Sequence, residues 1–413
     1  MEPKRIDPAD LASVLPPGGR TLVQACSGES LALAESVMAA SDKLGAMTFT
    51  GIFVPGLNKQ TYLANPDCRV ETFFITPELK AAGAAVRFLP LCYADILKWL
   101  RAVQIDAALF MVSPPDENGV CSFGSVVDFL AELWPRIPVR IAHINPLMPR
   151  TRGHAGIPFS EITACFEAEQ PLPGMDDAGD DSVADAIASH ILPFVPDGAT
   201  LQTGLGKIPR AALRVLRGRR GLRMHSGLIG DAVADLEQAG AFAGDGAILA
   251  GVAIGSRRLY DSIGGSSYQF RPASVTHDGR AISAIDNFVS INSTLEVDLL
   301  GQAYSELGPG GLMSGPGGAS DYARAVKIAD GLRILALPSS AGRGKIARIV
   351  APAKGAGPVS LGRMDFDLVV TEHGAADLRE RDYDERAQAL IAVAAPDHRT
   401  TLREAWSAFA RKF

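Results

Sequence analysis

The sequence contains few of the residues and motifs that build disulfides, metal sites or the common serine-hydrolase site. Its five cysteines are widely spread and form no C-x-x-C pair: Cys26, Cys68, Cys92, Cys121 and Cys165. This arrangement excludes a disulfide framework and a zinc site. There is also no H-E-x-x-H motif, no histidine pair with metal-ligand spacing and no G-x-S-x-G elbow. We therefore expect no bound metal and no hydrolase of the serine-elbow type.

Basic clusters and long apolar runs are also absent. The formal net charge is -6, with 21% charged residues, which argues against a nucleic-acid partner. No apolar run reaches the length of a membrane span, and the N-terminal "MEPKRIDPADLASVLPPGG" lacks the apolar core of a secretory signal. We expect a cytoplasmic protein that does not associate with membranes and that binds a small molecule.

Apolar runs that end in glycine turns alternate with amphipathic stretches along the chain. This alternation predicts an α/β fold, with mainly parallel sheets and helices on both faces. A chain of 413 residues suggests two domains. The proline-, glycine- and aspartate-rich residues 168–181 suggest a linker or surface crossing, which gives predicted domains of 1–180 and 181–413.

Two stretches share the order turn, buried strand, glycine loop, helix. They are "PPGGRTLVQACSGESLALAESV" near residue 16 and "PDGATLQTGLGKIPRAALRVL" near residue 196. The likeness indicates either two copies of one α/β unit or a chance similarity. If the unit is repeated, the two glycine loops are candidates for ligand contact.

Three loops have the composition of anion sites. "GLGKIP", residues 204–209, follows a strand and opens a helix, so its backbone N–H groups face a position that suits a phosphate or an oxyanion. "SGPGGASDYARAV", residues 314–326, is a second loop of this kind, and Lys345 lies in a third, "SSAGRGKIARIV". Plain structural turns and a solvated basic loop are the alternatives.

Several polar residues are further candidates. The "INSTLEVDLLGQ" segment suggests a polar network or an active-site wall. Glu372 and His373 end a predicted strand, just before a predicted helix. They could form either a structural hydrogen bond or an acid/base pair. Asn58 or Lys59 could orient an acyl carboxylate, against the alternative of a surface loop. Likewise, Gln269, Arg271 and His277 could bind a charged acyl chain.

Taken together, the segments resemble the acetyl-CoA hydrolase/transferase family, within the glutamate-dependent (family I) CoA-transferases. The likeness spans nearly the whole chain. It rests on these segments, which stand in the family's order: "VSPPDENGVCSFG", "INPLMPRTRG", "PDGATLQTGLGKIPRAAL", "SINSTLEVDLLGQ", "GPGGASDYARA", "ALPSSAGRGKIARIV" and "VVTEHGAADLR".

The resemblance implies two similar α/β domains, an active site between them and a homo-oligomer, either a dimer or a tetramer. It implies no permanently bound cofactor, with a coenzyme A thioester and small carboxylic acids as substrates. In such enzymes a glutamate carboxylate attacks the thioester to give an acyl-glutamyl anhydride, and CoA thiolate then forms a glutamyl-CoA thioester. The matching CoA-binding positions in this chain are Gly204, Leu205, Gly206, Lys207, Ile208, Gly315, Gly317 and Gly318, with Lys345 as a further candidate.

The family's nucleophilic glutamate lies on a loop about twenty residues after the first glycine turn, commonly within His-Thr-Glu. Here these positions read His225-Ser226-Gly227, so the carboxylate is missing. One hypothesis relocates the nucleophile to Glu29, on the N-terminal glycine loop "CSGES", although Glu29 also suits the first turn of a helix. Neighbouring Cys26 is a second possible nucleophile or a buried core residue.

Two other hypotheses keep the fold and change the chemistry. In one, the protein hydrolyses acyl-CoA with a water placed beside Gly227 and activated by Glu29, Glu372 or His373. In the other, it binds a CoA ester without turnover. A sugar-phosphate isomerase of similar architecture is disfavoured by the length of the match. We predict an enzyme that moves CoA between small carboxylic acids, with Glu29 and Gly227 marking its catalytic site.

Overall fold

The computed structural model describes residues 2–175, 179, 181–308 and 310–412, so part of the predicted linker at 168–181 lies outside the described residues. The strands are β1 Lys4–Arg5, β2 Arg20–Val23, β3 Thr48–Gly51, β4 Arg69–Thr72, β5 Val86–Phe88, β6 Ala107–Val112, β7 Val120–Cys121, β8 Val139–Ile144, β9 Ile157–Pro158, β10 Ala164–Glu167, β11 Thr200–Thr203, β12 Arg223–Ile229, β13 Ile248–Ala253, β14 Tyr268–Phe270, β15 Phe288–Ser293, β16 Glu296–Asp298, β17 Ala303–Tyr304, β18 Leu307–Gly308, β19 Gly311–Leu312, β20 Leu332–Ala336, β21 Ser340–Ala341, β22 Ile346–Ala347, β23 Ile349–Val350, β24 Leu368–Thr371 and β25 Gly374–Asp377.

The α-helices lie mostly between these strands. They are α1 Leu31–Ala39, α2 Ser41–Leu44, α3 Pro77–Ala81, α4 Tyr93–Ala102, α5 Leu130–Leu133, α6 Ser182–Ile191, α7 Lys207–Val215, α8 Asp231–Gln238, α9 Arg257–Ser262, α10 Ala273–Thr276, α11 Gly279–Ser283, α12 Ala319–Ile328, α13 Tyr383–Val393 and α14 Arg399–Ala410. In the described part of the chain, no helix combines the length and the apolar character needed to cross a membrane.

The chain divides into two compact units. The first comprises Met1–Asp177, Gly227–Asp231 and Ile248–Asp278, and the second comprises Ala178–Ser226, Ala232–Ala247 and Gly279–Phe413. The predicted division into 1–180 and 181–413 therefore placed two segments of the first unit in the C-terminal domain.

The contacts of the segment 248–278 explain why it belongs to the first unit. The N–H of Val127 donates to the carbonyl of Gly251 at 3.0 Å. The Ser27 hydroxyl donates to the carbonyl of Ala253 at 2.6 Å. These contacts join residues far apart in sequence, and no local pattern in the chain announces them.

The sheet of the first unit is parallel throughout, in the order β1-β10-β8-β6-β2-β3-β4-β5. Its central strand β6 reads "AALFMV", and all its residues are buried, as expected for a parallel strand covered on both faces. Helix α1 begins where the Ser30 hydroxyl accepts a hydrogen bond from the N–H of Leu33.

In the second unit, β12, β11, β15, β20 and β24 pair in parallel in that order, and β25 adds an antiparallel edge. The prediction of mainly parallel sheets with helices is confirmed. The predicted helix after Glu372-His373 is wrong, because Gly374–Asp377 form strand β25, which folds back on β24.

Candidate active site

The first predicted CoA-binding turn lies in the second unit, between β11 and α7. Leu205 is 44% exposed, whereas Ile208 is buried in the first turn of the helix. Gly206 immediately precedes α7 and has φ 121°, a conformation that strains any residue with a side chain. The turn therefore exposes the N-terminus of a nine-residue helix, whose free N–H groups suit an anion.

The side chain of Lys207 is partly committed elsewhere. Its Nζ lies 3.2 Å from the Asp181 carboxylate, an exposed ion pair of the second unit. An exposed pair of this kind contributes little to stability, so Lys207 can exchange its partner for a phosphate at small cost.

The glycine loop at residues 314–318 and Lys345 also lie in the second unit. Gly318 is the residue before α12, and Gly317 has a positive φ of 63°. Gly315 lies just upstream in the same loop, and Lys345 is exposed in the turn between β21 and β22.

The polar segment at 292–302 is largely a structural network. Gln202 and Asn292 pair through both amides at 3.1 and 2.9 Å. Asp298 is fully buried and accepts from Gln302 and Tyr304. Of its two predicted roles, the structure supports the polar network.

The Glu372 carboxylate is similarly occupied. It accepts from the N–H and the hydroxyl of Ser339 at 2.8 and 2.6 Å, and His373 lies 3.7 Å from it. These bonds tie β24 to the chain that follows β20, so they give Glu372 a structural role.

Glu29 lies in a closed hydrogen-bond network of the first unit. Its side chain is 1% exposed, and its two oxygens accept from Asn58 Nδ2 at 2.9 Å and from the Tyr62 hydroxyl at 3.1 Å. Burial raises the pKa of this carboxyl, and the two hydrogen bonds partly oppose that rise. For Glu29 to attack a thioester, one of these oxygens must leave its partner.

Asn58 is fully used inside the protein. Besides Glu29, its Nδ2 donates to the Cys26 carbonyl, and its Oδ1 accepts from the N–H groups of Cys26 and Val54. Asn58 was a candidate for orienting a substrate carboxylate. In the structure its side chain instead binds an internal carboxylate, that of Glu29.

Cys26 and Asp128 border a small cavity next to the N-terminal glycine loop, residues 26–30. The cavity measures about 30 Å³ and is lined mainly by apolar side chains. Burial is the main cause that raises the pKa of the Cys26 thiol well above its ordinary range, so the thiol is a poor nucleophile. Burial also raises the pKa of Asp128 to about 8.

The position of the missing glutamate is in strand β12, and not in the predicted loop. A Cβ built on Gly227 would lie 2.5 Å from Cε1 and 2.8 Å from Nε2 of His277. Real Cβ atoms essentially never show such contacts, so a side chain at residue 227 would require the His277 ring to move. In the first unit, the imidazole of His277 therefore occupies the space that a side chain at residue 227 would enter.

Sequence reasoning did not identify Tyr62, Tyr93 or Asp128 as neighbours of these groups. Asp128 had one available signal, since it is a lone acid within the apolar "VVDFL". The two tyrosines resemble ordinary core aromatics in sequence, and only the fold brings them to Glu29 and His277. Within the described residues, no cluster of potential metal ligands is found.

Comparison with known proteins decides the family. Residues 255–406 match the acetyl-CoA hydrolase/transferase C-terminal domain. The chain is 36% identical over 310 residues to 4-hydroxybutyrate coenzyme A transferase of Clostridium kluyveri, covering 73% of this chain and 72% of that protein. The chain belongs to the acetyl-CoA hydrolase/transferase family.

Two further comparisons agree with this assignment. Succinyl-CoA:cyclohexane-1-carboxylate CoA transferase of Geobacter metallireducens is 34% identical over 77% of this chain and 75% of its own length. The crystal structure of RipA from Yersinia pestis matches with a TM-score of 0.92 at 28% identity, covering 98% of both chains. The predicted CoA-transferase fold and the predicted enzyme class are confirmed.

Proposed function

We propose that this protein transfers CoA between acyl-CoA thioesters and small carboxylic acids. The observation that carries the proposal is the similarity over about three quarters of the chain to enzymes named CoA transferases, at 36% and 34% identity. The exposed glycine turn at 204–208 supports it, because it offers an N-terminal helix turn to an anionic part of CoA.

The proposed substrates need no permanent cofactor. The thioester supplies the activated acyl group, and an acceptor carboxylate supplies the nucleophile. The glycine positions 204–208 and 315–318 and Lys345 are proposed to bind CoA. Assembly into a homo-oligomer and a location in the cytoplasm stay predictions of the sequence.

Glu29 as the relocated covalent residue also stays a prediction. Its position on the first glycine loop supports the idea, and its raised pKa would make the free carboxylate more nucleophilic. Its burial and its bonds to Asn58 and Tyr62 count against it. Peptide mass spectrometry after incubation with acyl-CoA would show a CoA adduct on Glu29 if this role is correct.

Hydrolysis is a second candidate function, and the geometry at Gly227 favours it. The carboxylate that would store the acyl group as an anhydride is absent there, and an imidazole fills its space.

The transfer proposal is tested with acetyl-, succinyl- or butyryl-CoA and a panel of carboxylate acceptors, following new acyl-CoA by chromatography. We expect a new thioester with at least one acceptor and a rise in melting temperature with CoA. If no thioester is formed or consumed and CoA does not shift the melting temperature, the proposed function is wrong.

A further inference from the structure

We infer that the hairpin β21–β22 binds the phosphate groups at the nucleotide end of CoA through Arg343 and Lys345, and that His398 positions the hairpin for this contact. This role rests on the proposed function, because it requires that the protein binds CoA. It adds Arg343 as a second cation beside Lys345 and His398 as a positioning residue, and it names the part of CoA that they recognise.

The tip of this hairpin carries two cations that the protein itself leaves unpaired. Residues 342–346 are all exposed. Among the described residues, none forms an ion pair or a hydrogen bond with the side chain of Arg343 or Lys345. By contrast, Arg379 of the same unit is held by the Asp377 carboxylate at 2.6 Å. The tip is therefore a local positive site on a chain whose formal net charge is -6.

The backbone of the tip has a conformation that residues with a side chain seldom adopt. Gly342, Arg343 and Gly344 have φ of 59°, 58° and 86° in succession. Glycine takes such values easily, whereas an arginine does so against a steric cost. Residues held in this region despite the cost cluster at ligand-binding and active sites. Arg343 therefore has the backbone conformation expected of a residue kept for contact with a ligand.

The hairpin is also fixed at both ends. Just before β21, the N–H and the hydroxyl of Ser339 donate to Glu372 at 2.8 and 2.6 Å, and the Ser339 carbonyl accepts from the N–H of Arg348, just after β22, at 3.0 Å. At the tip, His398 Nε2 donates to the Gly344 carbonyl at 3.0 Å. A turn that is already fixed loses little freedom on binding, which favours affinity.

The chemistry of the two side chains matches the phosphate end of CoA. The planar guanidinium of Arg343 can bond two phosphate oxygens at once, and the Lys345 ammonium adds a point charge. CoA carries a diphosphate and a 3′-phosphate, whereas its pantetheine arm is uncharged. An exposed cation pairs only weakly with a single carboxylate. We therefore expect these cations to bind the multiply charged nucleotide end, and not the small carboxylic acid.

The test measures the Kd of CoA, of 3′-dephospho-CoA and of pantetheine by calorimetry, in wild type and in Arg343→Gln/Lys345→Gln. Loss of two charge-assisted phosphate contacts should lower the preference for CoA over pantetheine at least about tenfold. Arg403→Gln/Lys412→Gln is the matched control, since it removes the same two kinds of cation from exposed positions in and after α14. The control should keep the wild-type preference. The values for dephospho-CoA show which phosphate is bound.

Arg343→Gly separates ligand binding from folding. Glycine suits a φ of 58°, so this variant should melt no lower than wild type and yet lose about threefold or more in CoA affinity. A residue kept only for the structure of the turn would give no such loss.

Two variants test the positioning role of His398. His398→Ala deletes the bond to Gly344, so the preference for CoA over pantetheine should fall about threefold or more. In His398→Gln the side-chain amide can donate to the same carbonyl and should restore most of the preference.

Three results would overturn this inference and leave the proposed function standing. They are an unchanged preference in folded Arg343→Gln/Lys345→Gln, an equal fall in the control, and a wild type that binds pantetheine as tightly as CoA. A wild type that neither binds CoA nor consumes any thioester overturns the proposed function itself.

Discussion

The glycine loop at residues 26–30, here the first loop, and the one at residues 204–206, here the second loop, have similar local structure and different environments. Each follows a strand of a parallel sheet, β2 or β11, and each leads into a helix, α1 or α7. In the first loop Cys26, Ser27, Glu29 and Ser30 are all buried, and Glu29 is tied to Asn58 and Tyr62. In the second loop Leu205 is 44% exposed, and the helix N-terminus is open.

The same local order of strand, glycine loop and helix therefore occurs in a buried and in an exposed environment. The first loop is closed by side chains from residues 58 and 62, which lie about thirty residues further along the chain. Among the described residues, none closes over Leu205 of the second loop in this way, and Leu205 stays 44% exposed. The contrast supports the proposal that the second loop binds a ligand, and it counts against a covalent role for Glu29 in the first.

The largest expected effect is the collapse of the first loop when its central amide is removed. Asn58→Ala deletes bonds to Glu29, to both backbone polar groups of Cys26 and to Val54. Because the partners stay buried, the free energy of unfolding should fall by about 3 kcal/mol or more. Leu205→Ala in the second loop should change it by less than about 0.5 kcal/mol. Urea unfolding measures both, and equal losses would contradict the contrast between the loops.

A glutamate restored at residue 227 should destabilise the protein. In Gly227→Glu the new Cβ meets the His277 ring, and such overpacking costs about 1–3 kcal/mol. Adding His277→Ala should relieve the contact, giving a favourable coupling energy of at least about 1 kcal/mol in a double-mutant cycle. Additive effects of the two changes would show that the ring does not occupy this space.

The apolar surroundings of the first loop should also make stability depend on pH through Asp128. Its folded pKa is about 8, whereas an unfolded aspartic acid titrates near pH 4, so the folded state holds an extra proton between these values. Stability should therefore fall as pH rises through this window, and by about 1 kcal/mol between pH 7 and pH 8. Asp128→Asn should remove this contribution. Thermal unfolding at both pH values tests it, and an unchanged pH slope in the variant would exclude Asp128 as its source.

The smallest expected effect is that Cys26 does not react. Its thiol is buried and its pKa is raised well above the ordinary range, so little thiolate exists at pH 8. Iodoacetamide should label the half-buried Cys92 before Cys26 in the native protein, as read by peptide mass spectrometry. Early labelling of Cys26 would show that the first loop opens readily.

Much of the fold could be predicted from local sequence patterns. Buried runs such as "AALFMV" and the repeated order of turn, strand, loop and helix depend on neighbouring residues, and both were found in the structure. Strand β25 was missed because "HGAADLR" suits a helix locally, whereas pairing with β24 decides its conformation. The assignment of 248–278 to the first unit depends on long-range contacts that leave no local signal.

The candidate site shows the same limit. The absence of a glutamate at residue 227 could be read directly from the chain, and His277 was predicted only as a contact for an acyl chain. The two residues are fifty positions apart, so their contact depends on how β12, β13 and α10 pack together. Asn58 was a candidate, with Lys59, for orienting an acyl carboxylate, against the alternative of a surface loop; in the structure it is buried and donates to Glu29.

The contrast between the loops leads us to expect that the buried Glu29 takes no covalent part in the turnover of acyl-CoA. Many turnovers without acceptor in ¹⁸O-labelled water, followed by mass analysis of the product and of the peptide containing Glu29, test it directly. Direct attack by water predicts label in the released acid and none in Glu29. Passage through an acyl-glutamyl anhydride and a glutamyl-CoA thioester would instead place ¹⁸O in the Glu29 carboxylate, and that result would contradict this expectation.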